Sequence, residues 1–291
     1  MSKLILSLLL AVITFGDVFS ESNLPLPFGL IEGHLNLVYS ASNGPETENL
    51  YGKILDLKRI PNVILPGERL MIRYLAGDTE LKFIIKKKEN SQIKGGRFNA
   101  RGIRQLTILL PKEKRAGIIT RMRENGMELP EFSDENIGLI GSSRFEIRDS
   151  DDNQIELIFL DEESPGVSFK QAQIGLGVSN MDKMGAFLNN ILGLEPIETK
   201  GSVHRYVMGL TQIKFWDVPI SRPTWVGKPN DIVGMTMVQF VVDDVRAARD
   251  IIVARGGKIH TEPYVIGNLA IVMFVEGPDG ILFEFGESLV K

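Results

Sequence analysis

Along most of this chain apolar and polar residues alternate in short runs, the period of half-buried strands. Two such runs open equivalent stretches, Gly33-His34-Leu35-Asn36-Leu37-Val38-Tyr39 and Ala172-Gln173-Ile174-Gly175-Leu176-Gly177-Val178. Each leads into a helical pattern, 50–57 and 187–194, with Asp56 and Gly193 at the place past a helix end where left-handed backbone is needed. Hairpins follow, 69–75 with 80–85 about Gly77-Asp78, and 204–208 with 212–216 about Gly209. Strand patterns then recur at 105–110 and 237–242. Helical patterns follow at 112–124 and 245–255, stopped by Gly126 and by Gly256-Gly257. The last strands are expected at 154–159 and 281–285, after the corresponding turns 149–153 and 277–281.

The order strand, helix, hairpin, strand thus recurs, and the chain reads as a tandem duplication. Gln173 lies 139 residues after His34, Met237 lies 132 after Gln105, and Glu284 lies 128 after Glu156. The slow drift places the length changes in loops. A first module is expected over 30–161 and a second over 169–288. The polar segment 162–168, with Pro and Gly, is the linker.

The first twenty residues read differently. A short basic start at Lys3, an apolar run over 4–15 and small residues before Ser20 predict a signal peptide, 1–20, cleaved after Ser20. The run is short for a membrane span. An exported protein, periplasmic or secreted and free of the membrane once cleaved, is expected. Composition narrows the chemistry: Cys is 0, so disulfides, thiolate metal sites and Cys nucleophiles are excluded. Lys+Arg 33 against Asp+Glu 37 gives a net charge of −4, which speaks against a nucleic-acid partner.

Three sets of motifs stand out: Val178-Ser179-Asn180-Met181-Asp182 with Ile191-Leu192-Gly193-Leu194, Phe240-Val241-Val242-Asp243-Asp244-Val245 with Arg255-Gly256-Gly257, and Phe274-Val275-Glu276-Gly277-Pro278-Asp279-Gly280 with Phe283-Glu284-Phe285. In this order they resemble the vicinal oxygen chelate superfamily, the group of glyoxalase I, bleomycin-resistance proteins and extradiol dioxygenases. The likeness is stronger in the second half. It implies an α+β fold of two tandem βαβββ modules, whose curved mixed sheets enclose clefts, each lined by one half of each module. It also implies a divalent metal, iron, manganese, zinc or nickel, held by His, Gln or Glu and acting as a Lewis acid on a small substrate.

Carried over residue by residue, the resemblance assigns His34, Lys82, Met237 and Glu284 to a first cleft, and Gln173, Lys214, Gln105 and Glu156 to a second. Lys and Met depart from the metal-binding pattern, since a protonated ammonium offers no lone pair and a thioether suits only soft cations. Two readings stay open. With Glu80, on the same strand face as Lys82, the set His34, Glu80 and Glu284 would hold a metal, Glu284 ligating and His34 ligating or shuttling a proton. The protein would then be a lyase, isomerase or dioxygenase. Alternatively, Lys82 with Glu284 and Lys214 with Glu156 stand in for the cation, and the protein binds or sequesters a small molecule without metal. A structural or interaction module without catalysis is the third possibility. Trp216 is expected beside a cleft mouth, where it could stack on a ligand. His204 and His260 read as surface residues, and Lys86-Lys87-Lys88 as a solvated loop. Both a monomer and a homodimer fit two modules in one chain.

Overall fold

Strand pairing across the two halves organises the chain. The computed structural model describes residues 27–31, 33–86, 96–128, 143–164, 167–197 and 201–290; the segment 1–20 expected to be a signal peptide, and Lys87 and Lys88, lie outside them. The first quarter is β1 (Asn36–Ala41), a helix α1 (Gly44–Thr47) that continues as a π-helical turn (Glu48–Ile54), then β2 (Lys58–Leu65), β3 (Arg69–Ala76) and β4 (Thr79–Ile85). The second is β5 (Arg101–Pro111), α2 (Lys114–Glu124), β6 (Ser143–Arg148) and β7 (Gln154–Leu160). The third repeats the first with β8 (Ala172–Val178), α3 (Met181–Ala186) and its π-helical turn (Phe187–Ile191), β9 (Glu195–Ile197), β10 (His204–Met208) and β11 (Thr211–Asp217). After a two-residue β12 (Thr224–Trp225), the fourth has β13 (Gly234–Val241), α4 (Val245–Ala254), β14 (Lys258–Ile266), β15 (Ala270–Glu276) and β16 (Leu282–Ser288).

Among the described residues these strands make two eight-stranded mixed sheets. The first runs β14-β15-β16-β13-β1-β4-β3-β2, and the second β6-β7-β5-β8-β11-β10-β9 with β12 on β5. Each sheet therefore joins the first half of one module to the second half of the other. The joins are antiparallel and in equivalent register, Asn36 opposite Gln239 and Gln173 opposite Thr107. The expected α+β architecture of paired, curved sheets is what the chain adopts.

Gly193 (φ +70°) and Asp56 (φ +55°) both take the left-handed conformation that ends the first helix of each module. Edge strands β2, β9 and β14 were not legible in the pattern. Their side chains are largely exposed, so no apolar alternation marks them. They also carry Pro61, Pro196 and Pro263, and in β2 and β14 the ladder shifts register at the proline, as edge strands tolerate.

One face of both sheets packs on the helices and forms a continuous core that includes Tyr39, Tyr51, Phe83, Phe240 and Phe285. The other face of the first sheet carries a separate apolar cluster, Val38, Met237, Val272, Phe274 and Leu282. Alternation along each strand produces this two-sided burial, with Leu37, Tyr39 and Ala41 facing the helices and Asn36 and Val38 the opposite side.

Matched turns tie the two sheets together. Asp151, between β6 and β7, accepts the Ser42 backbone N–H at 2.9 Å and the Ser42 hydroxyl, just past β1 of the other sheet. Asp279, between β15 and β16, accepts the Ser179 N–H at 2.8 Å and its hydroxyl at 2.7 Å, just past β8. Asp279 also pairs with Arg101 at 2.6 Å, and its side chain is almost wholly buried. The residues after these serines, Asn43 and Asn180, cap the first helix of each module by accepting the N–H of Glu46 and Lys183. Removing Asp279 strands a buried guanidinium and two donors. Asp279→Ala is expected to cost about 3–5 kcal/mol in urea unfolding; a loss under about 1 kcal/mol would show that the clamp does not hold the sheets.

Candidate functional site

The first sheet curls until its two edge hairpins meet, Pro66 of the β2–β3 turn packing against Gly267 of the β14–β15 turn. Its concave face encloses a cavity of about 620 Å³, a size suited to a small organic ligand. The walls are mainly apolar, formed by Val38, Met71, Ile84, Met237, Val272 and Phe274, with Arg69, Lys228 and Glu287 also on the lining. The floor is a row of polar side chains set by the strand registers, Arg73 beside Lys82 and Lys82 beside Val38 on one side, Gln239 beside Glu284 on the other.

The floor is wired in one direction. The Lys82 ammonium donates to Gln239 Oε1 at 2.6 Å and lies 3.3 Å from Glu80 Oε2. The Gln239 amide donates to Glu284 Oε1 at 2.6 Å. Asn36 accepts the Glu80 backbone N–H at 2.9 Å and directs its own amide toward Gln239 Oε1 at 3.5 Å. Arg73 donates to Glu80 and to the Pro61 carbonyl. Glu284 is buried, and burial pushes its carboxyl above the ordinary range, opposed by the Gln239 hydrogen bond and by the charge of Lys82.

The second sheet carries the equivalent row with one shift in contacts. Lys214 Nζ lies 2.6 Å from Glu156 Oε2 and donates to the Thr107 hydroxyl at 2.7 Å, which donates to the same carboxylate oxygen at 2.6 Å. Arg144 reaches Glu156 Oε1 at 3.2 Å. Burial pushes the Glu156 carboxyl up, but Lys214, Thr107 and Arg144 together hold it at about 2. Burial pulls Lys214 down while Glu156 opposes the shift.

This second concave face is filled. Trp216 occupies the position of Ile84, with its indole donating to the Arg97 carbonyl at 3.1 Å. Its ring lies over Gly175, the counterpart of Val38, where a Cβ would fall 2.8 Å from ring atoms. Trp216 is buried, so the expected stacking place beside an open mouth is instead a plug.

Of the residues expected at the two sites, Lys82, Met237 and Glu284 line the first cavity. His34 does not. It sits half-buried in the bend before β1, outside the ladder, where the Gly33 carbonyl accepts the Leu210 N–H of the other sheet. The set His34, Glu80 and Glu284 therefore does not assemble. Among the described residues no group of three His, Cys, Asp or Glu could hold a metal. Glu80 is occupied by Arg73 and Lys82, and an ammonium stands on Gln239 Oε1 where a cation's donor would be needed, so the donor set does not fit a divalent metal.

Lys214 meets Glu156, whereas Lys82 reaches Gln239 and not Glu284. Gln105 donates to Glu146 at 3.0 Å, and Gln173 lies half-buried opposite Thr107. The residues paired with the two carboxylates are Thr107 and Gln239, two places along from Gln105 and Met237. Sequence reasoning missed Asn36, Arg73 and Gln239. Asn36 and Gln239 lie two residues along from His34 and Met237, where counting along the strand would have found them, whereas Arg73 lies on β3 opposite Lys82 and no residue of that strand was singled out.

The low carboxyl of Glu156 has a consequence for acid stability. A folded value of about 2, below the unfolded one, contributes stability above pH ~4.5 that is lost as pH falls toward 2. The full effect is on the order of 3 kcal/mol. Lys214→Met should destabilise by about 3 kcal/mol near neutral pH, and the double change with Glu156→Leu should recover most of the loss. Equal losses in single and double variants, measured by chemical denaturation across pH 2–7, would refute the pair's role.

Comparison with known proteins places this geometry. Residues 170–285 match the family described as the Glyoxalase/Bleomycin resistance protein/Dioxygenase superfamily. No curated protein sequence is similar enough to match the chain. Among solved structures, a Bacillus subtilis protein described as a candidate dioxygenase is 18% identical, with a TM-score of 0.62 over 90% of this chain and 85% of its own. Glyoxalase I from Zea mays is 14% identical, with a TM-score of 0.63 over 87% of this chain and 91% of its own. At these identities the likeness establishes the fold. The second module of this chain belongs to the Glyoxalase/Bleomycin resistance protein/Dioxygenase superfamily, and the chain as a whole has the two-module fold that it shares with maize glyoxalase I.

Proposed function

We propose that the protein binds a small, mainly apolar organic molecule in the first cleft without a resident metal, the second cleft having become structural. The observation that carries this reading is the 620 Å³ cavity, with mainly apolar walls and a polar floor that carries the Lys82 ammonium and the Arg73 guanidinium. Many proteins of this superfamily hold a divalent metal at the corresponding place. Here Lys82 and Arg73 both engage Glu80, and the contrast with the second cleft, where Trp216 lies buried over Gly175, supports ligand binding at one site.

A second reading, acid–base catalysis, is favoured by a single feature. Glu284 faces the cavity with a raised carboxyl, suited to exchanging a proton with a bound substrate. In that case the product of binding is turnover at the same place, and the lining residues keep the same roles.

Elemental analysis of protein purified without chelators is expected to find no stoichiometric iron, manganese, zinc or nickel, and EDTA to leave the Tm unchanged. Stoichiometric metal lost in Glu284→Gln would overturn the metal-free reading. Met237→Trp fills the cavity, and should abolish the thermal stabilisation produced by ligands from a fragment library; Trp216→Phe, in the other cleft, should leave it.

We also propose that the protein acts outside the cytoplasm, on the basic, apolar and small-residue order of its N-terminal segment. Among the described residues no helix is long and apolar enough to cross a membrane. Intact mass of the protein expressed from its full reading frame in a bacterium is expected to lack residues 1–20. Retention of Met1 through Ser20 would refute export by cleavage.

A further inference from the structure

The two sheets present the same carboxylate from their last strand and treat it differently. Glu156 has two cations and a hydroxyl on it, Lys214 at 2.6 Å, Arg144 at 3.2 Å and Thr107 at 2.6 Å. Glu284, its counterpart, has neither cation in contact. Lys82 stops at Gln239, the longer side chain that replaces Thr107. Val272 stands where Arg144 stands in the other sheet. Each is paired with the residue two places past the carboxylate, Gly286 and Ile158 respectively.

What remains on Glu284 is one hydrogen bond, from Gln239 to Oε1 at 2.6 Å. No described residue bonds Oε2. The side chain is more than nine-tenths buried, at 8% exposure, and it lines the cavity. Elsewhere on the floor Glu80 lies between Arg73 and Lys82, so the two cations are held at Glu80 and Gln239 and neither touches Glu284, although the charge of Lys82 acts on it from a distance. An ionised carboxylate buried without a contacting cation is costly. The fold has solved this problem once, in the second sheet, with built-in cations. In the first sheet it leaves a free acceptor facing a cavity.

We propose that the first cleft selects ligands carrying a protonated amine on an apolar body, the ammonium donating to Glu284 Oε2 and the body lying among Val38, Met237 and Phe274. This rests on the small-molecule reading above. A ligand ammonium supplies the charge that Lys214 and Arg144 supply to Glu156. A ligand carboxylate would set a second negative charge beside Glu284, and a neutral hydroxyl would satisfy the hydrogen bond while leaving the charge unmatched.

Calorimetric titration of the full-length protein near neutral pH, with naphthalen-1-ylmethylamine, naphthalen-1-ylmethanol and 1-naphthoate, tests this. A charge-assisted bond should make the amine bind about tenfold more tightly than the alcohol, and the acid should bind more weakly than either. Glu284→Gln should bring the amine down to the level of the alcohol without changing alcohol binding. Val272→Arg gives Glu284 the guanidinium that Glu156 already has, and should also remove the amine's advantage; thermal unfolding of both variants checks that they fold. If all three probes bind alike and Met237→Trp blocks them, the amine preference is wrong and the small-molecule reading stands. Should none of them bind, both fall. Stoichiometric binding of Mn²⁺ or Zn²⁺ that depends on Glu284 would also overturn the proposal, because the missing cation would then be a metal.

Discussion

The pairing of β1 with β13, and of β8 with β5, is the constraint on which the rest of the molecule depends. Because these antiparallel ladders join strands from different modules, neither module owns a sheet. Each concave face needs a first half from one copy and a second half from the other. The register of the two joins is equivalent, so the same four strand positions converge twice, and every site argument about this chain becomes a comparison of two rows of side chains.

That comparison explains why one cleft is open and the other closed. Duplication kept the ladders and the turn clamps, Asp151 on Ser42 and Asp279 on Ser179, because these hold the sheets together. It did not keep the side chains on the concave faces. Gly175 removes the Cβ that would collide with the Trp216 ring, and the tryptophan fills the second cleft. Val38 and Ile84 at the same places leave room in the first. In the first sheet the turns of the edge hairpins, β2–β3 and β14–β15, come together at Pro66 and Gly267 and help to enclose the cavity.

Electrostatics follows the same division. In the second cleft lysine, arginine and threonine surround one glutamate, an arrangement in which a buried charge is stable because it is fully matched. In the first, replacement of threonine by Gln239 moves the lysine one step away from the carboxylate, and replacement of arginine by Val272 removes the other cation. One substitution builds a relay, the other makes an apolar wall. Together they turn a structural ion pair into a floor whose Glu284 has no contacting cation.

Much of this was legible in the chain alone. The repeat, the hairpins and the helix ends at Asp56 and Gly193 follow from period-2 alternation, turn chemistry and the offsets between copies, all of which are local or self-referential, whereas the grouping of residues into two clefts is what the family resemblance implies. Sequence parity could also say that Glu80 shares a face with Lys82 on one strand. It could not say which of two same-face neighbours meets its partner, because a slide of two residues preserves every pattern in the sequence. Only the ladders between distant strands decided that Gln239 and not Met237 stands beside Glu284, that His34 falls before the first strand, and that Trp216 turns into a cleft rather than over its mouth. Hydrophobic pattern selects the face of a strand; cross-strand hydrogen bonds select the position along it, and the chemistry of this protein lies in the position.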